Sequence, residues 1–138
     1  MKITTGIKLT FALAIPMGLA LATSANAGEL PPASTKPGVT YTADIKPIFD
    51  NSCTKCHSGD KPKGRLKLDT LEGALKGGKD GAILKAGDSA NSYVVKAVAH
   101  LTADQMSWMP PMNNRVGIKP LTPEQIGLIR AWIDQGAK

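Results

Sequence analysis

The chain contains two cysteines and two histidines, and both cysteines and one histidine fall within Cys53-Thr54-Lys55-Cys56-His57. A Cys-x-x-Cys-His run is the attachment signature for c-type haem, and its spacing has a geometric reason. On one helical turn, positions three and four apart share a face. Cys53 and Cys56 then reach the two vinyl-derived carbons on one edge of a porphyrin. His57, four residues after Cys53, offers a ring nitrogen to the iron from beneath. Two other readings of a Cys-x-x-Cys pair compete, a dithiol redox couple or half of a zinc site. A zinc site would have to recruit His100 and carboxylates to reach four ligands. A thioredoxin-like couple would want a βαβ pattern that the sequence lacks. Haem attachment also accounts for the absence of disulfide partners elsewhere in the chain.

A ligand for the far side of the iron is offered by Met106-Ser107-Trp108-Met109-Pro110-Pro111-Met112. A thioether is a soft, neutral ligand whose bond to haem iron raises the reduction potential. Such a weak bond has to be held by the backbone, and two prolines directly after Met109 fix φ and stiffen the strap. Met109 is therefore the expected distal ligand, with Met112 as the fallback and Met106 after it. The plain alternative is that these methionines only fill a pocket. His100 reads first as a histidine interacting with the C-terminus of its helix, and second as an iron ligand. The proximal imidazole needs a partner for its other nitrogen, and a backbone carbonyl near Pro62 is expected to serve. Leu66, Leu68 and Trp108 are assigned to contacts with the ring. Arg65, Lys67 and Arg115 are candidates for the propionates.

Residues 1–27 read as a cleaved export signal. Lys2 and Lys8 form a positive start, Leu9 to Leu21 is an apolar run broken by Pro16 and Gly18, and Ala25-Asn26-Ala27 is a small-residue cleavage site. The run is short for a membrane span, so stable membrane insertion after cleavage is not expected and a periplasmic location is. Export fits the haem motif, because c-type haem is attached outside the bacterial cytoplasm. Removal of the segment lowers the formal charge from +6 to +4. A mildly basic protein suits an acidic protein docking surface. No basic stripe with interleaved aromatics points to nucleic acid.

The elements that must position these residues read as all-α. Residues 28–41, with Pro31, Pro32 and Pro37, form an expected flexible leader, and 42–138 form one small domain. A first helix capped by Thr42 or Asp44, with Pro47 early, presents Ile45, Ile48, Phe49 and Ser52 on one face and delivers the cysteines. A lysine-rich loop carrying Lys61, Lys63, Arg65 and Lys67 follows; it is either simply solvated or rims the haem and helps dock a partner. Thr70 caps a short helix closed by Gly77-Gly78. Asp88 or Ser89 caps another with Tyr93, Val94, Val95 and Val98 as apolar positions. Thr122, Pro123 and Gln125 give the closing helix a capping box, its Ile126, Ile129, Trp132 and Ile133 form one stripe, and Gly136 stops it. That stripe is expected to cover Phe49. The mature chain has few large side chains, so a covalently held haem would act as both staple and core.

From about Ile45 to Gly136 the sequence resembles a class I cytochrome c, and more narrowly the planctomycete-type cytochrome c domain. The resemblance is carried by Ile45-Lys46-Pro47-Ile48-Phe49 leading into Cys53-x-x-Cys56-His57, and by Gly64-Arg65-Leu66-Lys67-Leu68-Asp69. Gly77-Gly78, Gly87-Asp88, Met109-Pro110-Pro111, Leu121-Thr122 and Trp132-Ile133-x-x-Gly136 extend it. It implies a small helical fold with first and last helices crossing beside the haem, and His57 with Met109 as the axial pair. The expected function is that of an exported monohaem carrier of single electrons between protein partners. No general acid, base or nucleophile constellation is visible, so catalysis is not expected. The competing function is a haem protein with a displaceable sixth ligand that binds gas or reduces peroxide.

Overall fold

The computed structural model describes residues 28–138; the expected export signal, 1–27, lies outside them. Among the described residues the chain is helical with no strand, and an isolated bridge joins Gly78 and Gly81. A π-helical turn, Tyr41–Ile45, runs directly into α1, Lys46–Ser52. It is followed by α2 (Leu71–Lys76), α3 (Tyr93–Val98) and α4 (Pro123–Asp134), with 3₁₀ turns at Lys63–Arg65 and Gln105–Ser107. No described helix is long and apolar enough to cross a membrane.

The first helical segment starts earlier than expected. Thr40, not Thr42, is its cap, accepting from the Ala43 amide. The Asp44 carboxylate accepts from the Thr40 amide and pairs with Lys36, and those contacts hold the acid below its usual range. Ile45, Ile48 and Phe49 are buried as their spacing requires. The closing helix follows its sequence signals closely. Thr122 accepts from the Gln125 amide and Gln125 accepts from the Thr122 amide, which is a complete capping box with Pro123 just inside. Ile126, Ile129, Trp132 and Ile133 are all buried.

α1 and α4 meet through three rings. Phe49 and Trp132 stand edge to face at 6.4 Å, and Tyr41 lies 6.2 Å from Phe49 and 5.9 Å from Trp132. Such contacts add about 0.5–1.5 kcal/mol each beyond area burial. The Tyr41 hydroxyl donates to the Leu68 carbonyl at 2.9 Å, which ties the loop after the cysteine motif to the same cluster.

Two expectations shift. Thr70 caps α2 as foreseen, accepting from the Gly73 amide, but α3 begins at Tyr93 after Ser92 rather than at Asp88 or Ser89. Asp88 instead closes a turn by accepting from Asn91, and Ser89 is bound to Asp134 at the end of α4 through its amide and hydroxyl. The stretch read as a flexible leader is fastened along α4. The Ser34 amide donates to the Gly127 carbonyl at 2.9 Å, Arg130 donates to the Pro31 carbonyl, and Gln135 bonds both Lys36 and Val39. Proline composition alone could not reveal this, because the partners lie about a hundred positions away. The approach depends on Gly127, where a Cβ would stand 2.8 Å from the Pro32 carbonyl oxygen.

Two tests follow from this packing. Gly127→Ala gains helix propensity of about 1 kcal/mol but crowds a backbone carbonyl at a cost of about 1–3 kcal/mol. A net loss is expected, read as a thermal midpoint lower by several degrees. Tyr41 is pushed up to about 12, first by burial and then by the nearby Asp50 and Asp69 charges. A raised folded value for an acid means that its contribution is intact below about pH 10 and is lost as pH climbs towards 12. Denaturant titrations should show Tyr41→Phe less stable by about 1–2 kcal/mol at neutral pH, with the gap to the parent closing across that alkaline window.

Candidate functional site

The cysteine motif continues the first helical segment for one further turn. The Cys53 amide donates to Phe49 O at 2.7 Å, and the Cys56 and His57 amides donate to Cys53 O at 3.1 and 3.0 Å. The buried ring of Phe49 therefore anchors the turn that carries all three side chains. Cys53, Cys56 and His57 line one cavity of about 890 Å³, at the upper end of the range for pockets that enclose a whole ligand.

The opposite wall comes from far along the chain. α3 supplies Val94, Ala97 and Val98, and the following strap supplies Met106, Met109 and Pro110. Leu66 and Leu68 line the cavity from the loop after the motif. The strap is fastened where it matters: the Met109 amide donates to the Ala97 carbonyl at 3.0 Å. Beyond the prolines, Asn114 closes the loop with three hydrogen bonds, donating to Pro111 O and Ile118 O and accepting from the Ile118 amide at 2.7 Å.

The other expected residues are distributed unevenly. Met112 is exposed and does not line the main cavity; Met106 lines it but is 87% exposed, whereas Met109 is partly buried against the core. Trp108, assigned to the ring by its place in the methionine run, does not line the cavity. It stacks on His100 at 4.9 Å, nearly parallel, and its indole donates to Thr102 O. His100 lies outside the main cavity too. It lines a smaller one of about 330 Å³ behind Pro110 and Pro111. Of the three propionate candidates, Arg115 lines the main cavity and Arg65 and Lys67 do not; Lys63 and Lys79 do. Lys79 and Asn114 were missed. Asn-Asn after a Pro-Pro pair is a turn signal, but nothing in the sequence shows which carbonyls its amide would reach.

The donor chemistry of the site fits a haem. His57 Nδ1 lies 3.1 Å from the Lys63 carbonyl. A carbonyl only accepts, so Nδ1 carries the proton and Nε2 keeps its lone pair for a metal. The expected partner near Pro62 is thus one residue further on. Burial holds the imidazole below its ordinary value, which favours the neutral, ligating form. The two cysteines are not joined to each other. Burial, with Cys56 adding to it, pushes the Cys53 thiol up to about 12. A thiol so disposed is a poor free nucleophile, which weighs against a dithiol redox couple. Among the described residues, no three His, Cys, Asp or Glu side chains are gathered as a zinc site would need.

Residues 53–113 match the family model described as Planctomycete cytochrome C. This stretch is similar to that family. No curated protein and no solved structure matches the chain. The similarity suggests a c-type cytochrome, a family that holds haem c covalently. The matched range opens on Cys53 and runs through Met109 to Asn113, so it contains the cysteine motif, the loop that meets His57, α2, α3 and the strap. α1 and α4, which pack together through Phe49 and Trp132, lie beyond it. Exchange of His57 for alanine should remove the proximal nitrogen and leave no stable holoprotein, measured as haem content per polypeptide after purification.

Proposed function

We propose that the chain is an exported electron carrier that holds one haem c through Cys53 and Cys56, with His57 and Met109 as axial ligands. The observation that carries the reading is that His57, both cysteines and Met109 line a single cavity within the stretch similar to the cytochrome family. When bound, the haem supplies a one-electron couple. The chain's own residues do the rest. The Lys63 carbonyl orients His57, Leu66, Leu68, Val94 and Val98 keep the site apolar, and the bond from Met109 N to Ala97 O tethers the thioether. With His57 and Met109 both holding the iron, no substrate would reach it and little would rearrange on oxidation, which would favour outer-sphere transfer over catalysis. Burial in an apolar wall and a thioether ligand both favour the ferrous state.

The domain is taken to comprise residues 42–138 together with the fastened stretch before it. Lys55, Lys61 and Lys63, exposed beside the cysteine motif, would face an acidic surface on a redox partner, in keeping with the mildly basic charge. Nucleic acid is not among the proposed partners. A periplasmic location accords with the export of cytochrome c domains in general.

The visible and near-infrared spectrum of purified holoprotein tests the ligand set. The oxidised parent should show the weak long-wavelength band of sulfur-bound ferric haem. Met109→Ala should abolish it, lower the reduction potential by on the order of 0.1 V within the ~0.8 V range set by axial ligands, and allow prompt carbon monoxide binding to the reduced form. Met112→Ala should change none of these. Carbon monoxide binding by the parent itself would favour the gas-binding or peroxide-reducing alternative, and an unchanged spectrum in Met109→Ala would move the ligand to another residue.

A further inference from the structure

The carbonyl that orients His57 belongs to a turn that its own side chains do not hold. Lys63–Arg65 has no buried residue, and Gly64 and Arg65 both sit at positive φ, 63° and 55°. Positive φ is uncommon outside glycine, so the turn needs support from elsewhere. Within the turn the Lys63 amide donates to Cys56 O at 2.9 Å and the Leu66 amide to Lys63 O at 3.3 Å; further support comes from a second turn, after α2. The Lys79 amide donates to the Gly64 carbonyl at 2.7 Å. Gly78 lies against the same group: a Cβ there would stand 2.7 Å from Gly64 O and 3.3 Å from Leu66 Cβ. The second turn is itself closed by two hydrogen bonds between Gly78 and Gly81, at 2.9 and 3.1 Å. Gly64 O and Lys63 O are successive carbonyls, so moving the first peptide moves the second.

We propose that Gly78 is a positioning residue for His57. Its missing side chain lets the Lys79 amide grip Gly64, and this sets the neighbouring Lys63 carbonyl on the imidazole Nδ1–H. The inference deepens the reading of His57 as an iron ligand and rests on it. A hydrogen-bonded imidazole is a more basic ligand and stabilises ferric iron, so the Gly78 turn, which lines the far rim of the same cavity, helps to set the reduction potential through the Lys63 carbonyl.

The test compares purified Gly78→Ala holoprotein with the parent and with Gly87→Ala. Gly87, unlike Gly78, has positive φ, and an added Cβ there meets nothing within 4 Å, so it reports general backbone strain without a new contact. In Gly78→Ala the reduction potential should rise, and the His57 Nδ1 proton, followed by NMR in the reduced form, should exchange with solvent about tenfold faster. Gly87→Ala should leave both near the parent values. Equal shifts in the two variants, or unchanged ring-proton exchange in Gly78→Ala, would overturn the proposal. Should Gly78→Ala yield no holoprotein, the parent decides. The Lys79 amide and the His57 ring proton should lose protection together as denaturant is raised, and a Lys79 amide that opens alone would sink the idea. A parent without haem would refute the ligand reading itself and this proposal with it, an outcome distinct from a parent with haem whose Gly78 variant behaves normally.

Discussion

The contact among Tyr41, Phe49 and Trp132 is the fixed point from which the site is built. Phe49 O receives the Cys53 amide, so the ring that packs on Trp132 belongs to the residue that starts the cysteine turn. Tyr41 reaches from the same cluster to Leu68 O, and the Leu68 amide returns to His57 O at 2.8 Å. The cluster thus grips the loop on both sides of the histidine. A small domain has little apolar area with which to hold a large cavity open. Concentrating its largest side chains at one crossing leaves the remaining wall to valines, leucines and prolines.

The sequence carried most of this arrangement in local signals. The cysteine spacing, the capping box of α4, the Thr70 cap and the apolar stripes each depend on residues within one or two helical turns, so they survive translation into structure. What failed depends on distance in sequence. The segment before Thr40 looked unstructured because its anchors are Gly127, Arg130 and Gln135. Asp88 and Ser89 carried the composition of a cap, but Ser89 was claimed by Asp134, and that competition is invisible to a local reading. Trp108 was placed against the ring by its neighbours in the methionine run, whereas its contact is the imidazole of His100.

Choosing among the methionines shows the same boundary. Pro110 and Pro111 singled out Met109 by stiffening the chain after it, an argument about local backbone freedom. The backbone bond to Ala97 at the end of α3 could not be read from the chain, and it is that bond which fixes the depth of Met109 relative to the helix. Met112, equally close to the prolines, lies within the Pro111 to Asn114 turn and ends up on the surface.

The two walls of the cavity are therefore held by different means. On the His57 side the turn follows directly on the end of α1, and its imidazole meets a carbonyl whose neighbour is held by a second turn. On the Met109 side one backbone hydrogen bond to α3, two prolines, short local turns and the Asn114 side chain restrain a strap of otherwise irregular chain. An imidazole is a strong ligand that needs only to be aimed; a thioether is weak, and its retention depends on how little the strap can move. Local opening takes place where few backbone bonds must break, which puts it at the strap rather than at the cysteine turn. On the proposed ligation, whether the site stays closed or admits a small ligand would depend less on the methionine itself than on the hold of Ala97 and Asn114 on the chain around it.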